Sequence, residues 1–381
     1  MRTNWTMVAV AVLATASLGR AQTVVTDQPA ALLVYPGVIV ARGGSTELDT
    51  VIQLSNTSNE PVAAKCFYVN AVGKCSVSGA PCFPASGDPR FSLDCPLSSD
   101  ACLPQWVETD FRVFLTSEQP LAWLASRGLD REDLPVDGFF VRGPRGESNS
   151  GTHVPPFGVA AEGGLAGVGE LKCYVTDLDG NPIDRNVLKG EMTIVRTEGD
   201  EEDCVDVVKS NAIGHRARPG LVDTDARLVL GGPDGEYDGC PDVLVMDHFF
   251  DGATNPVTGG TVVPFLVLAP CTEDFLTQVP TRLSVQYLVF NEFEQRFSTS
   301  KPVDCFFLSR LGLIDTSDPS RSVFGVQVAG TLTGQTRIRP VNGGLVGIGG
   351  EFHGNGEGRT VTFNLHQQGQ RETADVVRVI P

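Results

Sequence analysis

Four cysteines crowd the stretch KCSVSGAPCFPASGDPRFSLDCPLSSDACLP, at Cys75, Cys82, Cys95 and Cys102. Four thiolates can complete a tetrahedral zinc shell, or they can oxidise to two disulfides. Structural zinc ligands usually come in pairs two to four residues apart, whereas the spacing here is C-x6-C-x12-C-x6-C. Disulfides are therefore the expectation. Cys66, Cys173, Cys204, Cys240, Cys271 and Cys305 bring the total to 10, an even count that fits an oxidised, exported chain. A cut in the polar stretch 197–220 leaves Cys66, Cys75, Cys82, Cys95, Cys102 and Cys173 on one side. Cys204, Cys240, Cys271 and Cys305 fall on the other, so two separately closed disulfide sets are expected.

The carboxylates offer less. DLDGNPID (Asp177 to Asp184) clusters acids as a calcium loop does, but its glycine, Gly180, comes fourth where an EF-hand needs it sixth. A turn is the simpler reading; calcium is the one cofactor with any sequence support, and no catalytic or metal residue is assigned. GDEEDC (Gly199 to Cys204) reads as a solvated acidic run. The histidines are His153, His215, His248, His353 and His366. MDHFFDG sets Asp247, His248 and Asp251 close in sequence, yet neighbouring strand residues point to opposite faces, so Asp247 and His248 should diverge. HExxH, G-x-S-x-G and Cys-x-x-Cys are all absent, and GESNSG (Gly146 to Gly151) misses the hydrolase elbow by one position. The glycines of GGLAGVGELKCYV (from Gly163) and GGLVGIGGEFHGN (from Gly343) lack the Lys-Ser/Thr end of a phosphate loop. They suit a close approach of strands instead.

The elements that carry these residues read as strands. The 42 Gly and 25 Pro fall between short apolar runs, as turn punctuation does in all-β proteins. Candidate strands include LLVYPGVIVA, TVIQLS, AAKCFYVNA, FRVFLT, EMTIVR, DVLVMDHFF, TVVPFLVLA, RLSVQYLVF, FGVQVAG and RTVTFNL. Helical periodicity is confined to EQPLAWLASRG and CTEDFLTQV, each long enough for a turn or two. DTVIQLSNTSNEPVAAKCFYVNA, residues 49 to 71, reads as two adjacent antiparallel strands about a polar turn.

The second half repeats the order of the first. The Gly-Gly-Leu-x-Gly-x-Gly runs match without a gap, FRVFL at Phe111 corresponds to FGVQV at Phe324, Val51 to Val262 and Phe67 to Tyr287. The expected architecture is all-β: two tandem immunoglobulin-like antiparallel β-sandwiches, disulfide-stapled, with very little helix. The boundaries are a leader at 1–21, a first sandwich at 22–196 with a Cys-rich inserted loop at 74–104, an acidic and polar connector at 197–220, and a second sandwich at 221–381. The NTSNEPV…C hairpin followed by the GGLxGxG strand resembles uncharacterised secreted bacterial immunoglobulin-like β-sandwich domains. That resemblance implies the fold and brings no catalytic residues.

Arg2, the apolar run Met7 to Leu18 and the small residues Gly19 to Ala21 have the layout of a cleaved secretory leader. The run is too short to span a bilayer, which takes about 20 residues. An exported location is expected, whether periplasmic, cell-surface or extracellular. A formal net charge of −17 opposes binding to nucleic acid or anionic lipid. The leading functional expectation is a non-enzymatic structural, adhesive or binding protein that displays loops to a protein or glycan partner at the cell surface. The loop between Cys75 and Cys102 is the first contact candidate, since insertions on a β-scaffold often carry binding. The alternative is a secreted carbohydrate-binding or hydrolytic protein with a cleft between the sandwiches, using Trp106 and Trp123 for stacking.

Overall fold

A computed structural model describes residues 24–42, 46–82, 95, 97, 99, 101–103, 106–129, 152–161, 164–198, 204–315, 321–354 and 358–379. The expected leader at 1–21, the GESNSG run and Gly199 to Asp203 of the acidic run lie outside the described residues. The first half contributes β1 (Leu32–Arg42), β2 (Thr46–Asn56), β3 (Val62–Asn70), β4 (Gly73–Cys75), β5 (Pro81–Cys82), β6 (Cys102–Leu103), β7 (Val107–Leu115), β8 (Pro120–Leu124), β9 (Val159–Ala161), β10 (Gly164–Thr176), β11 (Leu188–Glu198), β12 (Cys204–Asn211) and β13 (Ile213–His215). The second contributes β14 (Arg227–Leu230), β15 (Val243–Phe249), β16 (Val262–Pro270), β17 (Glu273–Asp274), β18 (Arg282–Asn291), β19 (Arg296–Asp304), β20 (Phe307–Arg310), β21 (Thr333–Pro340), β22 (Leu345–His353), β23 (Arg359–Asn364), β24 (His366–Gln368) and β25 (Asp375–Arg378). The protein is nearly all β, as expected. Among the described residues helix is limited to a 3-10 turn, Leu311–Leu313, and one α-helical turn, Val326–Ala329.

In the first half β2 carries β11 along one edge and β8 along the other, so it meets β1 only at Ala41 and Leu48. The sheet folds at that corner into two leaves, β13-β1-β10-β3-β7 and β12-β11-β2-β8. Tyr35, Tyr68, Phe111 and Cys173 from one leaf and Ile52, Leu54 and Trp123 from the other share one buried core. Trp123 Nε1 donates to Tyr68 Oη at 2.6 Å across it. The Cys66–Cys173 disulfide joins directly opposed residues of β3 and β10. It therefore links neighbouring strands of one leaf, where an immunoglobulin domain's disulfide spans its two sheets.

The second half builds one sheet of β19-β18-β21-β15-β24 and another of β20-β16-β22-β23. β16 shows how they stack. Leu266 and Leu268 face the core of the second half, while Phe265 and Val267, alternating with them, join the core of the first. The middle sheet is thus covered on both faces. Polar contacts run along the same seam: Thr360 N donates to Asp206 Oδ2 at 2.8 Å, and Asn364 Nδ2 to Asn211 O at 3.0 Å.

Several local expectations resolve differently. Within the stretch expected as a connector, β12 pairs with β11 and β13 with β1. The strands of the DTVIQL…CFYVN stretch do not pair with each other; β2 bonds β11 and β8, and β3 bonds β10 and β7. Its polar turn is an arch between leaves, held by Asn56 Nδ2 donating to Glu60 O at 2.7 Å and Thr116 O at 3.0 Å. FGVQVAG coils into the α-turn, whereas EQPLAWL forms β8 and CTEDFLTQV begins with β17. The Phe111–Phe324 correspondence therefore pairs a strand with a turn.

The glycine motif lies on a strand in both halves, but its matching glycines meet different neighbours: Gly169 abuts backbone where its counterpart Gly349 abuts the Phe363 ring, and Gly347 abuts backbone where its counterpart Gly167 abuts the Phe157 ring. Gly169 of β10 faces Val38 of β1, and Gly347 of β22 faces Leu268 of β16. A Cβ on Gly169 would sit 1.8 Å from Val69 O, and one on Gly347 2.3 Å from Val267 O. The backbones come too close for a side chain, so these positions require glycine for packing.

Candidate functional site

The inserted segment is stapled twice, by Cys75–Cys95 and Cys82–Cys102. β4, β5 and β6 form a three-stranded sheet of their own in which Cys75 lies opposite Cys102. All four cysteines are paired in this way, and the Sγ atoms of Cys75, Cys82 and Cys95 lie within 4.8 Å of one another. Apolar side chains stand out from this module: Val77 is 66% and Leu103 52% exposed, with Val107 of β7 beside it also exposed. The second half reaches the same end of the molecule. Gln278 Nε2 donates to Glu108 Oε2 at 3.1 Å, bringing the turn with exposed Leu276 and Val279 next to β7. Phe275 anchors the turn by stacking on Phe67 at 4.2 Å between centroids.

Beneath this end lies the densest buried charge. Lys172 of β10 is 1% exposed, and its Nζ donates to Glu170 Oε1 at 2.9 Å and to Glu273 Oε2. Glu170 and Glu273 are both fully buried, and their carboxyls share a hydrogen bond in addition to their contacts with Lys172. Burial, then the adjoining Glu170 carboxylate, pushes the Glu273 carboxyl well above the ordinary range. Burial works to lower the Lys172 ammonium, but the two carboxyls outweigh it and raise it. One lysine therefore sits between two buried carboxyl groups, and burial favours the neutral form of Glu273. Cys305, expected in a disulfide, is a buried free thiol nearby, raised to about 12 first by burial and then by Glu273 and Glu170. Of the other second-half cysteines, Cys240 pairs with Cys271, and the side chain of Cys204 lies outside the described residues.

The remaining sequence candidates are dispersed. Asp247 is exposed and accepts from Gln335 Nε2 at 2.9 Å. His248 points inward, with Nε2 and Thr336 Oγ1 2.7 Å apart, and burial lowers it to about 4. Asp251 takes the Arg310 guanidinium at 2.7 Å. The three form no common site. Asp177 Oδ1 accepts the backbone N–H of Asp179, Gly180 and Asn181, while Oδ2 accepts Asn181 Nδ2. That carboxylate is committed to closing a turn.

The space between the halves is packed rather than open. It holds an apolar cavity of about 40 Å³ lined by residues such as Ile39, Ile194, Phe265 and Ile348, room for a water and not for a sugar. Trp123 is 1% exposed and Trp106 packs partly buried against the same core, so neither is a free stacking platform. Two open grooves lie instead on the outer sheet of the second half. One of about 480 Å³ is lined by Asp247, Phe249, Glu292 and Glu351, the other of about 560 Å³ by Gln286, Ser298, Arg337 and Arg339. His248 and Thr333 line the first groove as well, with His248 Nε2 engaged by Thr336 Oγ1 and Thr333 Oγ1 donating to Glu292 Oε1.

Sequence reading missed the buried triad. Glu170 and Lys172 stand two apart on one strand, which looks like an ordinary polar face, and Glu273 lies 101 residues from Lys172. No described helix is long and apolar enough to cross a membrane. Compared with protein-family models, curated proteins and solved structures, the chain finds no match in any of the three.

Proposed function

We propose that this is an exported, non-enzymatic binding protein whose paired β-layers hold the stapled loop against a protein partner at the cell surface. One observation carries the reading: Val77 and Leu103 are held out to solvent by a small sheet bearing two disulfides. Scattered exposed apolar residues need no explanation. Here the two residues lie on one cross-linked module, next to the exposed turn 276–279, and fixing a loop in advance lowers the entropy lost on binding. The immunoglobulin-like relationship belongs to the same proposal, supported by the face-to-face leaves of the first half.

The test is crosslinking in native cells, followed by fractionation and mass spectrometry. The wild-type chain should enter discrete high-mass species. V77D/L103D should leave those species while melting at the wild-type temperature, since both side chains are exposed. A wild-type chain that stays monomeric, or a double variant that crosslinks equally well, would overturn the assignment.

A further inference from the structure

Glu170, Lys172 and Glu273 are buried polar groups that burial alone makes expensive. Charges in a dry interior are kept only where they are paired, and here two buried carboxyls share a single lysine. The site also has one carboxyl more than its single lysine can neutralise. Around it lie Phe67, opposite Lys172 on β3, and Phe275, stacked on Phe67, so the chamber is apolar and closed to solvent. The other titratable groups acting on the triad are Cys305 and His215. His215 is engaged with Asp238 O at 2.8 Å.

We propose that Lys172 and Glu273 condense to a side-chain amide, with Glu170 as the proton-transfer group, so that a covalent bond joins the two halves of the chain. The ammonium of Lys172 hands one proton to the Glu170 carboxylate and becomes an amine. Its nitrogen lone pair attacks the carboxyl carbon of Glu273, which is protonated and so has a leaving hydroxyl. In the tetrahedral adduct the nitrogen loses a further proton, and the hydroxyl takes up a proton through Glu170 and departs. The C–O bond breaks, the C–N bond stays, and one water is released. The products are a neutral amide and a protonated Glu170, which keeps charge and protons in balance with the starting ammonium, carboxylate and carboxylic acid. No oxidant, metal or cofactor enters the step. Holding amine and carboxyl in contact supplies the proximity that a bimolecular condensation lacks in water. The exclusion of bulk water favours the amide over its hydrolysis.

Glu273 is the acyl partner because its carboxyl touches Lys172 Nζ and burial favours its neutral form, the better electrophile. The arrangement also explains why a two-residue strand, β17, pairs parallel to β25 at Val377: it holds Glu273 in place beneath β10. This inference stands on the buried triad and does not depend on the display reading.

The experiment is an intact-mass measurement of the mature chain, purified from its native source, fully reduced and alkylated. The expected mass is one water less than the sequence requires. Proteolysis should then yield a branched peptide joining the Lys172 segment to the Glu273 segment. E170Q, of nearly the same shape, should fold yet retain the full mass, and K172R should also retain it. A wild-type chain at full mass would overturn the proposal. So would a water loss mapped to an Asp-Gly site such as Asp251-Gly252, which can dehydrate to a succinimide. The wild-type mass decides the question even where a variant fails to fold.

Discussion

Phe265→Ala tests whether the two halves are one folding unit. Phe265 belongs to β16 of the second half, yet its ring is buried in the core of the first and lines the seam cavity of about 40 Å³. Truncating a buried phenylalanine costs about 3–5 kcal/mol, rising with the hole left behind at roughly 24 cal/mol per Å³. The new hole would merge with one already present, and its walls come from strands anchored in both halves, so collapse is restricted. The loss should fall in the upper part of that range, about 4 kcal/mol. Trp106 and Trp123 both lie in the first half, so their fluorescence reports that half. With a urea m-value of about 3 kcal/mol per molar or more, the fluorescence midpoint should drop by roughly 1 M. Far-UV circular dichroism should drop with it. If fluorescence keeps its wild-type midpoint while the dichroism transition splits in two, the halves unfold independently and the shared core is refuted.

Gly169→Ala should lower stability by roughly 3 kcal/mol or more, because its Cβ would overlap Val69 O, and a thermal melt should show it. Removing the Cys66–Cys173 bridge as C66A/C173A should cost about 4 kcal/mol in chemical denaturation; a loop near 100 residues gives about 4.7, and the two disulfides nested within it shorten the effective loop. His215 and His248, each buried and lowered to about 4, bind protons more readily unfolded than folded. Their contribution is therefore present above about 6.5 and is lost as pH falls toward 4. Wild type should lose more stability over that window than H248Q, and parallel slopes would show that His248 does not titrate as its burial requires.

The class of fold was legible because strand alternation is a local signal. TVIQL and RLSVQYLVF each put every second residue inward, and both are strands. Pairing was not legible, because a polar turn looks the same whether it closes a hairpin or arches between leaves. NTSNEP bears the Asn, Ser and Pro of a reversal, but the hydrogen bonds of Asn56 to Thr116 O, across a long separation, decide its course. FGVQVAG misled for a similar reason: its apolar alternation fits a strand, while Gly330 at φ 70° ends a single helical turn. The even cysteine count was consistent with closed pairs in each half, yet Cys305 is held apart in a buried site that parity cannot see.

The run VVPFLVLAP of β16 held one signal that the division into separate sandwiches passed over. A strand with one wet face alternates, and this one does not; from Pro264 to Pro270 every residue is buried. Such a strand needs a cover on both faces, and the second half supplies only one. The other has to be the first half, which is why Phe265 and Val267 reach its core. With β16 and β22 laid there, the stretch before the second half runs alongside them. It is drawn into the first sheet as β12, whose Asp206 and Asn211 then meet β23. The same packing sets β17 under β10 and brings Glu273 to Lys172. The core shared between the halves and the buried triad therefore follow from the same doubly covered strand.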